Sequence, residues 1–172
     1  CISMPPGTQK TTLEKFFSSW IIGRHPKDYS LFFSHNNDIT EKYYKGVLDI
    51  TTDSIEYTWG EIFPEVKLQS TNAKLQEINF DKYKPYASKV RTNRYLYCDD
   101  LIGSIEEALN TITLDKIWRI YGVDLKQRKL NEQVKEIIIM TRWSTKDVIG
   151  RIIELYGNSE RTLIISIPDI DP

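Results

Sequence analysis

Cysteine is scarce in this chain, and long apolar runs are missing. Cys1 and Cys98 stand far apart without CxxC or histidine spacing, so neither a disulfide framework nor a zinc site is indicated, and a reducing, cytosolic setting is expected. No apolar stretch approaches the ~20 residues that span a bilayer, so no membrane crossing is expected. Charge imbalance is absent as well: 23 Lys and Arg against 24 Asp and Glu leave a net charge of -1, so any nucleic-acid contact has to be local. The opening CISMPPGTQK lacks the charged and then apolar segments of a secretory leader, and it lacks an initiator Met. Neither an internal repeat nor a low-complexity tract is visible.

What is present is an ordinary globular composition, 40% hydrophobic and 27% charged over 172 residues, enough for one core and too little for two, so residues 1–172 are read as a single domain. Cys1 to Met4 resembles the end of a strand that Pro5-Pro6-Gly7 cuts off. Leu13, Phe16, Phe17, Trp20 and Ile21 recur at helical spacing over 11–22, with Gly23 and Pro26 as stop signals. A buried strand over 29–34 and a helix over 39–48 follow, and this alternation predicts a parallel α/β sheet. The stretch 53–90 is irregular, with short strands near Ile78 and Phe80. Beyond it the pattern predicts a strand over 94–98, a helix over 113–126, a strand over 136–140, a helix over 146–156 and a strand over 162–167. Lys82, Lys84, Lys89, Arg91 and Arg94, interleaved with Tyr83, Tyr86 and Tyr95, suit either a solvated face or a phosphate-contacting loop.

Three polar constellations sit at predicted strand ends. Pro5-Pro6-Gly7-Thr8-Gln9-Lys10-Thr11-Thr12 lies between a strand and a helix, where backbone N–H groups and the helix dipole favour a bound phosphate. As a P-loop it assigns Lys10 to the β- and γ-phosphates of ATP and Thr11 to Mg²⁺, with Pro6 to Thr12 as the nucleotide-binding loop. It departs from the usual pattern at Gln9, where Gly is expected, and at Met4, where the first Gly would stand. The alternative is a proline-rich turn with Thr11 or Thr12 as N-cap and Lys10 exposed. Asp99 and Asp100 end a buried strand: Asp99 is the metal-side carboxylate and Asp100 the base that orients the attacking water, or the pair is simply a polar turn. Glu106 and Glu107 read as solvated helix residues. Thr141 and Arg142 follow the third strand. Thr141 is placed to sense a γ-phosphate through its hydroxyl, and Arg142 either relays that state or pairs with Asp147.

The segments PPGTQKTTLEKFFSSWIIGRHP, YLYCDDLIGSIEEALN and IIIMTRWSTKDVIGRIIE, in that order, resemble the Walker A, Walker B and coupling motifs of phage terminase large subunits. The likeness covers most of the chain and is weakest in the middle. It implies a three-layer α/β P-loop ATPase of the RecA-like, ASCE kind with a mainly parallel sheet. Lys10 and Thr11 would act on nucleotide and metal, Asp99 and Asp100 as the Walker B pair, and Thr141 with Arg142 as the coupling motif. It further implies ATP hydrolysis with Mg²⁺ in a homo-oligomeric ring at a procapsid portal in the host cytoplasm, drawing in double-stranded DNA, with portal protein and terminase small subunit as partners. An arginine finger from a neighbouring subunit is expected, with Arg24, Arg91, Arg94 and Arg142 as candidates. The same likeness implies residues missing near Tyr86-Ala87, and an upstream adenine-contacting strand and a downstream nuclease that these residues do not include, so no DNA cleavage is expected. Outside this family the alternatives are a helicase-like or kinase-like P-loop ATPase, which has no need of Thr141-Arg142-Trp143, and a non-hydrolysing P-loop domain that binds portal or DNA.

Overall fold

A computed structural model describes residues 1–67 and 91–167. The possible strands near Ile78 and Phe80, the Tyr86-Ala87 junction and most of the basic-aromatic stretch lie outside the described residues.

Short apolar runs make the strands β1 (Ile2–Ser3), β2 (Leu31–Ser34), β3 (Tyr95–Asp99), β4 (Lys135–Met140) and β5 (Ile165–Ser166). They form one five-stranded sheet in the order β2-β3-β4-β1-β5, every neighbour pair parallel. Strands buried on both faces need no polar alternation, which is why Leu96, Tyr97 and Cys98 all sit inside. Leu96, Cys98, Ile138 and Met140 feed one core, whereas Tyr97, with Phe32, feeds the other.

Helices cover both faces. α1 (Lys10–Arg24) and α2 (Asn37–Thr52) pack over the Tyr97 side, where Tyr43 and Val47 join Phe32. The one-turn α3 (Trp59–Ile62) anchors there through the Trp59 indole, which donates to the Ser19 carbonyl at 2.8 Å. The opposite side carries α4 (Ile105–Leu109), α5 (Thr111–Arg119) and α6 (Val148–Tyr156), which bury Ala108, Leu114, Ile117 and Ile149. The arrangement is α/β with a parallel central sheet between two helical layers. Among the described residues no helix is long and apolar enough to cross a membrane.

Several expectations shift at element ends. α2 starts at Asn37 because Asn36 caps it, accepting from the Asp38 amide at 2.7 Å. α6 starts at Val148, not Lys146, because Asp147 is the cap and accepts from the Gly150 amide at 2.7 Å. The helix expected over 113–126 begins at Thr111 and widens to a π-helical turn over Ile120–Leu125, which keeps Tyr121 and Leu125 in the core. The last strand is shorter than the apolar run 162–167: only Ile165 and Ser166 pair, with Ile2 and Ser3 of the two-residue β1. The largest difference is rotational. The apolar residues whose spacing signals α1 are largely outside, with Leu13, Phe16 and Trp20 about half exposed, while Lys10, Glu14, Ser18 and Ser19 are buried.

Candidate functional site

The helix after β1 and the helix after β4 leave on opposite sides of the sheet, so the carboxyl ends of β1 and β4 flank a point where the topology switches direction. In open α/β sheets such a crevice is where ligands bind. Here it is an open cleft of about 520 Å³, lined by Pro6, Gly7, Gln9, Lys10, Thr11 and Thr12 after β1, and by residues following β2, β3 and β4. These are His35, Asp100 with Ile102 and Gly103, and Thr141 with Trp143. The three constellations, distant in sequence, meet at one sheet edge.

The β1–α1 loop carries two residues in the left-handed region. Gly7 has φ 78° and Gln9 φ 61°, both left-handed. Gln9 therefore adopts the conformation for which Gly is usual, at a cost of about 1–2 kcal/mol for a residue with a Cβ. No side chain caps α1, so its first N–H groups are left without a side-chain acceptor in the turn that lines the cleft. Thr8, the loop residue absent from the lining, ties the turn by donating to the Pro5 carbonyl at 2.7 Å, and the Thr12 hydroxyl donates to Gln9 Oε1 at 2.9 Å. The alternative reading, a threonine cap with an exposed lysine, is not what the fold contains. Neither Thr11 nor Thr12 caps the helix, and Lys10 is 7% exposed.

Lys10 Nζ donates to Thr141 Oγ1 at 2.9 Å and to the Pro5 carbonyl at 3.2 Å. Thr11 Oγ1 donates to Asp99 Oδ2 at 2.7 Å, joining the loop to the end of β3. Asp99 is 1% exposed and its Oδ1 has no partner. Burial pushes its carboxyl up to about 6, a rise held back by the Thr11 hydroxyl, helped by Asp100 and opposed by Lys10 and His35. Asp100 has φ 40°; its Oδ1 accepts from the Thr141 amide at 3.0 Å. Thr141 thus links both others, its hydroxyl on Lys10 and its amide on Asp100.

Arg142 lies apart. Its Nε donates to Asp147 Oδ2 at 2.9 Å and its Nη2 to the Ser144 carbonyl at 3.2 Å, so of the two readings open for it the pairing with Asp147 is present, and the guanidinium does not line the cleft. The other arginines considered are also outside the lining. Arg24 stacks on Trp20, Arg94 pairs with Asp28 at 2.7 Å, and Arg91 is exposed. Glu106 and Glu107 are both exposed on α4, as expected, and Glu107 also accepts from the Gly103 amide at 2.8 Å in the loop after β3.

Two participants were not anticipated. Glu14 is 1% exposed with neither carboxylate oxygen partnered, and burial, reinforced by Asp99 and Asp100, pushes its carboxyl well above the usual range. Its position four residues after Lys10 on a helix was the available signal. His35, directly after β2, lines the cleft and bonds to the Asp100 carbonyl; nothing in its neighbourhood in the sequence marks it.

The donor set at Thr11 and Asp99 is oxygen only, the kind Mg²⁺ prefers, and Asp99 Oδ1 has no hydrogen-bond partner, although Asp99 itself lies beneath the residues that line the cleft. Among the described residues no group of three or more His, Cys, Asp or Glu could hold a metal alone. Comparison with protein-family models, with curated proteins and with solved structures gives no match. The case for function therefore rests on the chemistry of the cleft.

Proposed function

We propose that this cleft binds the triphosphate of ATP and hydrolyses it, and that the chain is the ATPase part of a DNA-packaging motor of the terminase kind. The observation that carries the reading is the buried Lys10 at an uncapped helix N-terminus, one residue before a hydroxyl bonded to Asp99. A cationic side chain, free N–H donors, a hydroxyl and a carboxylate in one crevice are the parts phosphoryl transfer needs. The parallel order β2-β3-β4-β1-β5, with helices on both faces, supports the three-layer P-loop arrangement that the resemblance implies.

In this reading Lys10 exchanges its bonds to Thr141 and Pro5 for phosphate oxygens, and the N–H groups opening α1 take up further phosphate charge. Thr11 and Asp99 would hold Mg²⁺, which neutralises charge on the β- and γ-phosphates when bound. Asp100 orients the attacking water. Thr141, released by Lys10 yet still bonded to Asp100, reports occupancy of the cleft to β4 and, through Asp147, to α6. Double-stranded DNA, portal protein and the terminase small subunit are the partners, with an arginine supplied by the next subunit of a ring in the host cytoplasm.

The test is thermal unfolding with and without Mg²⁺ and a non-hydrolysable ATP analogue. A ligand at 100 times its Kd stabilises by about 2.7 kcal/mol. That shift should vanish in Lys10→Ala and Asp99→Ala. A wild type with no shift at millimolar ligand would overturn the reading and leave a P-loop-like fold that acts by binding alone.

A further inference from the structure

We infer that His35 is a positioning residue for Asp100: its ring fixes the left-handed backbone that aims the Asp100 carboxylate. The inference deepens the ATPase reading and rests on it for the catalytic consequence, though not for the geometry. β2 and β3 pair so that Ser34 lies opposite Asp99, which brings the next residues, His35 and Asp100, side by side beyond the sheet. The Asp100 carbonyl accepts from the His35 amide at 3.4 Å and lies 2.5 Å from ring Nδ1. A carbonyl oxygen is only an acceptor, so Nδ1 carries the proton, and the neutral ring is the Nδ1–H tautomer.

The other side of the ring is fixed too. A Cβ at Gly103 would stand 2.5 Å from His35 Cδ2 and 2.9 Å from Nε2, so residue 103 can carry no side chain while the ring stays where it is. The ring is wedged between the Asp100 carbonyl and the Gly103 backbone. Asp100 needs that support: its φ of 40° is rarely populated by residues with a Cβ. Its other bonds run to β4 and beyond, the amide donating to the Ile139 carbonyl at 3.0 Å and Oδ1 accepting from Thr141 at 3.0 Å. Removing the His35 ring leaves only the longer amide contact from the β2 side. The peptide after Asp100 is then held less tightly, and the carboxylate loses its alignment with Thr141.

Three substitutions separate the ring's two nitrogens. Asn places an amide N–H near the Nδ1 position, Gln places one near Nε2, and Ala supplies neither. The first readout needs no nucleotide: amide hydrogen exchange of Thr141 in the free protein should quicken in His35→Ala and His35→Gln and return toward wild type in His35→Asn. A ¹⁵N spectrum of the neutral imidazole should show the proton on Nδ1. The second readout is steady-state ATP hydrolysis. His35→Ala and Gly103→Ala should lower kcat by about 10- to 100-fold with KM within about two-fold, as misaiming by an ångström does, and His35→Asn should recover most of it. An Nε2–H tautomer, unchanged Thr141 exchange in His35→Ala, or rescue by Gln and not by Asn would overturn the inference. If wild type hydrolyses no ATP while the exchange pattern appears as described, the positioning stands and the ATPase reading falls.

Discussion

Replacing Asp99 by Asn should make the empty domain more stable while destroying its response to nucleotide. Asp99 is 1% exposed and one of its oxygens is unpartnered. Burial lifts its carboxyl from the ordinary 3.8 to about 6, and Lys10, His35 and the Thr11 hydroxyl only partly oppose that. A folded-state value above the unfolded one means that the native state holds the proton more tightly. The carboxylate therefore carries no penalty below about 3.8, a growing one as pH rises, and its full penalty above about 6. At 1.36 kcal/mol per decade the gap is worth about 3 kcal/mol at pH 7.5, and about half that at pH 5. Asn is uncharged and still accepts from Thr11, but it brings in an amide N–H₂ whose burial costs about 1–2 kcal/mol. The net gain at pH 7.5 is about 1–2 kcal/mol, or a rise in Tm of a few degrees for a domain of this size.

The assay is chemical or thermal unfolding of wild type and Asp99→Asn at pH 5 and 7.5, each with and without Mg²⁺ and the ATP analogue. The variant's advantage should shrink at pH 5, and its ligand-induced shift should be absent. A variant less stable than wild type at pH 7.5, or an advantage that does not change with pH, would refute the claim that an uncompensated buried charge stands at the end of β3.

Other substitutions probe the frame around the cleft. Gln9→Gly relieves the left-handed strain of the loop at the expense of unfolded-chain entropy, so stability should rise by no more than about 1 kcal/mol and nucleotide response should persist; denaturant midpoints and ligand shifts check both. Asp147→Ala strips acceptors from the Gly150, Trp143 and Ser144 amides and strands Arg142, and should cost about 3–5 kcal/mol in urea unfolding. Gly150→Ala would drive a Cβ to 2.1 Å from the Thr145 carbonyl oxygen, forcing backbone apart at the start of α6, and should destabilise by about 1–3 kcal/mol by the same measure.

How much of this was legible in the sequence depended on what each segment had to satisfy. β3 and β4 announce themselves because a strand covered on both faces must be apolar throughout, and Leu96 to Cys98 and Ile137 to Met140 are. The site's acidic end and its Thr141 were readable for the same reason: a polar residue that closes such a run stands at the sheet edge. His35 was not, because its role comes from the register that sets β2 beside β3, and pairing across sequence distance leaves no local trace. α1 was legible as a helix but not in its rotation. Its apolar spacing gave a helix, yet the helix turns Leu13, Phe16 and Trp20 outward and Glu14, Ser18 and Ser19 inward. Hydrophobic burial alone would rotate it the other way, at about 1.5–3 kcal/mol for each large side chain. What fixes the rotation is the first turn: Lys10 must reach Thr141 and Thr11 must reach Asp99, and a period of 3.6 then carries Glu14 and Ser18 onto the same inward line. Ser18 meets Tyr43 there in a short hydrogen bond, so part of that line is satisfied, while both oxygens of Glu14 are left without a partner. A fold optimised for stability would not bury that carboxyl beside two aspartates. Its presence one turn after Lys10, like the left-handed Gln9, is the kind of local violation that the proposed site would impose on its surroundings.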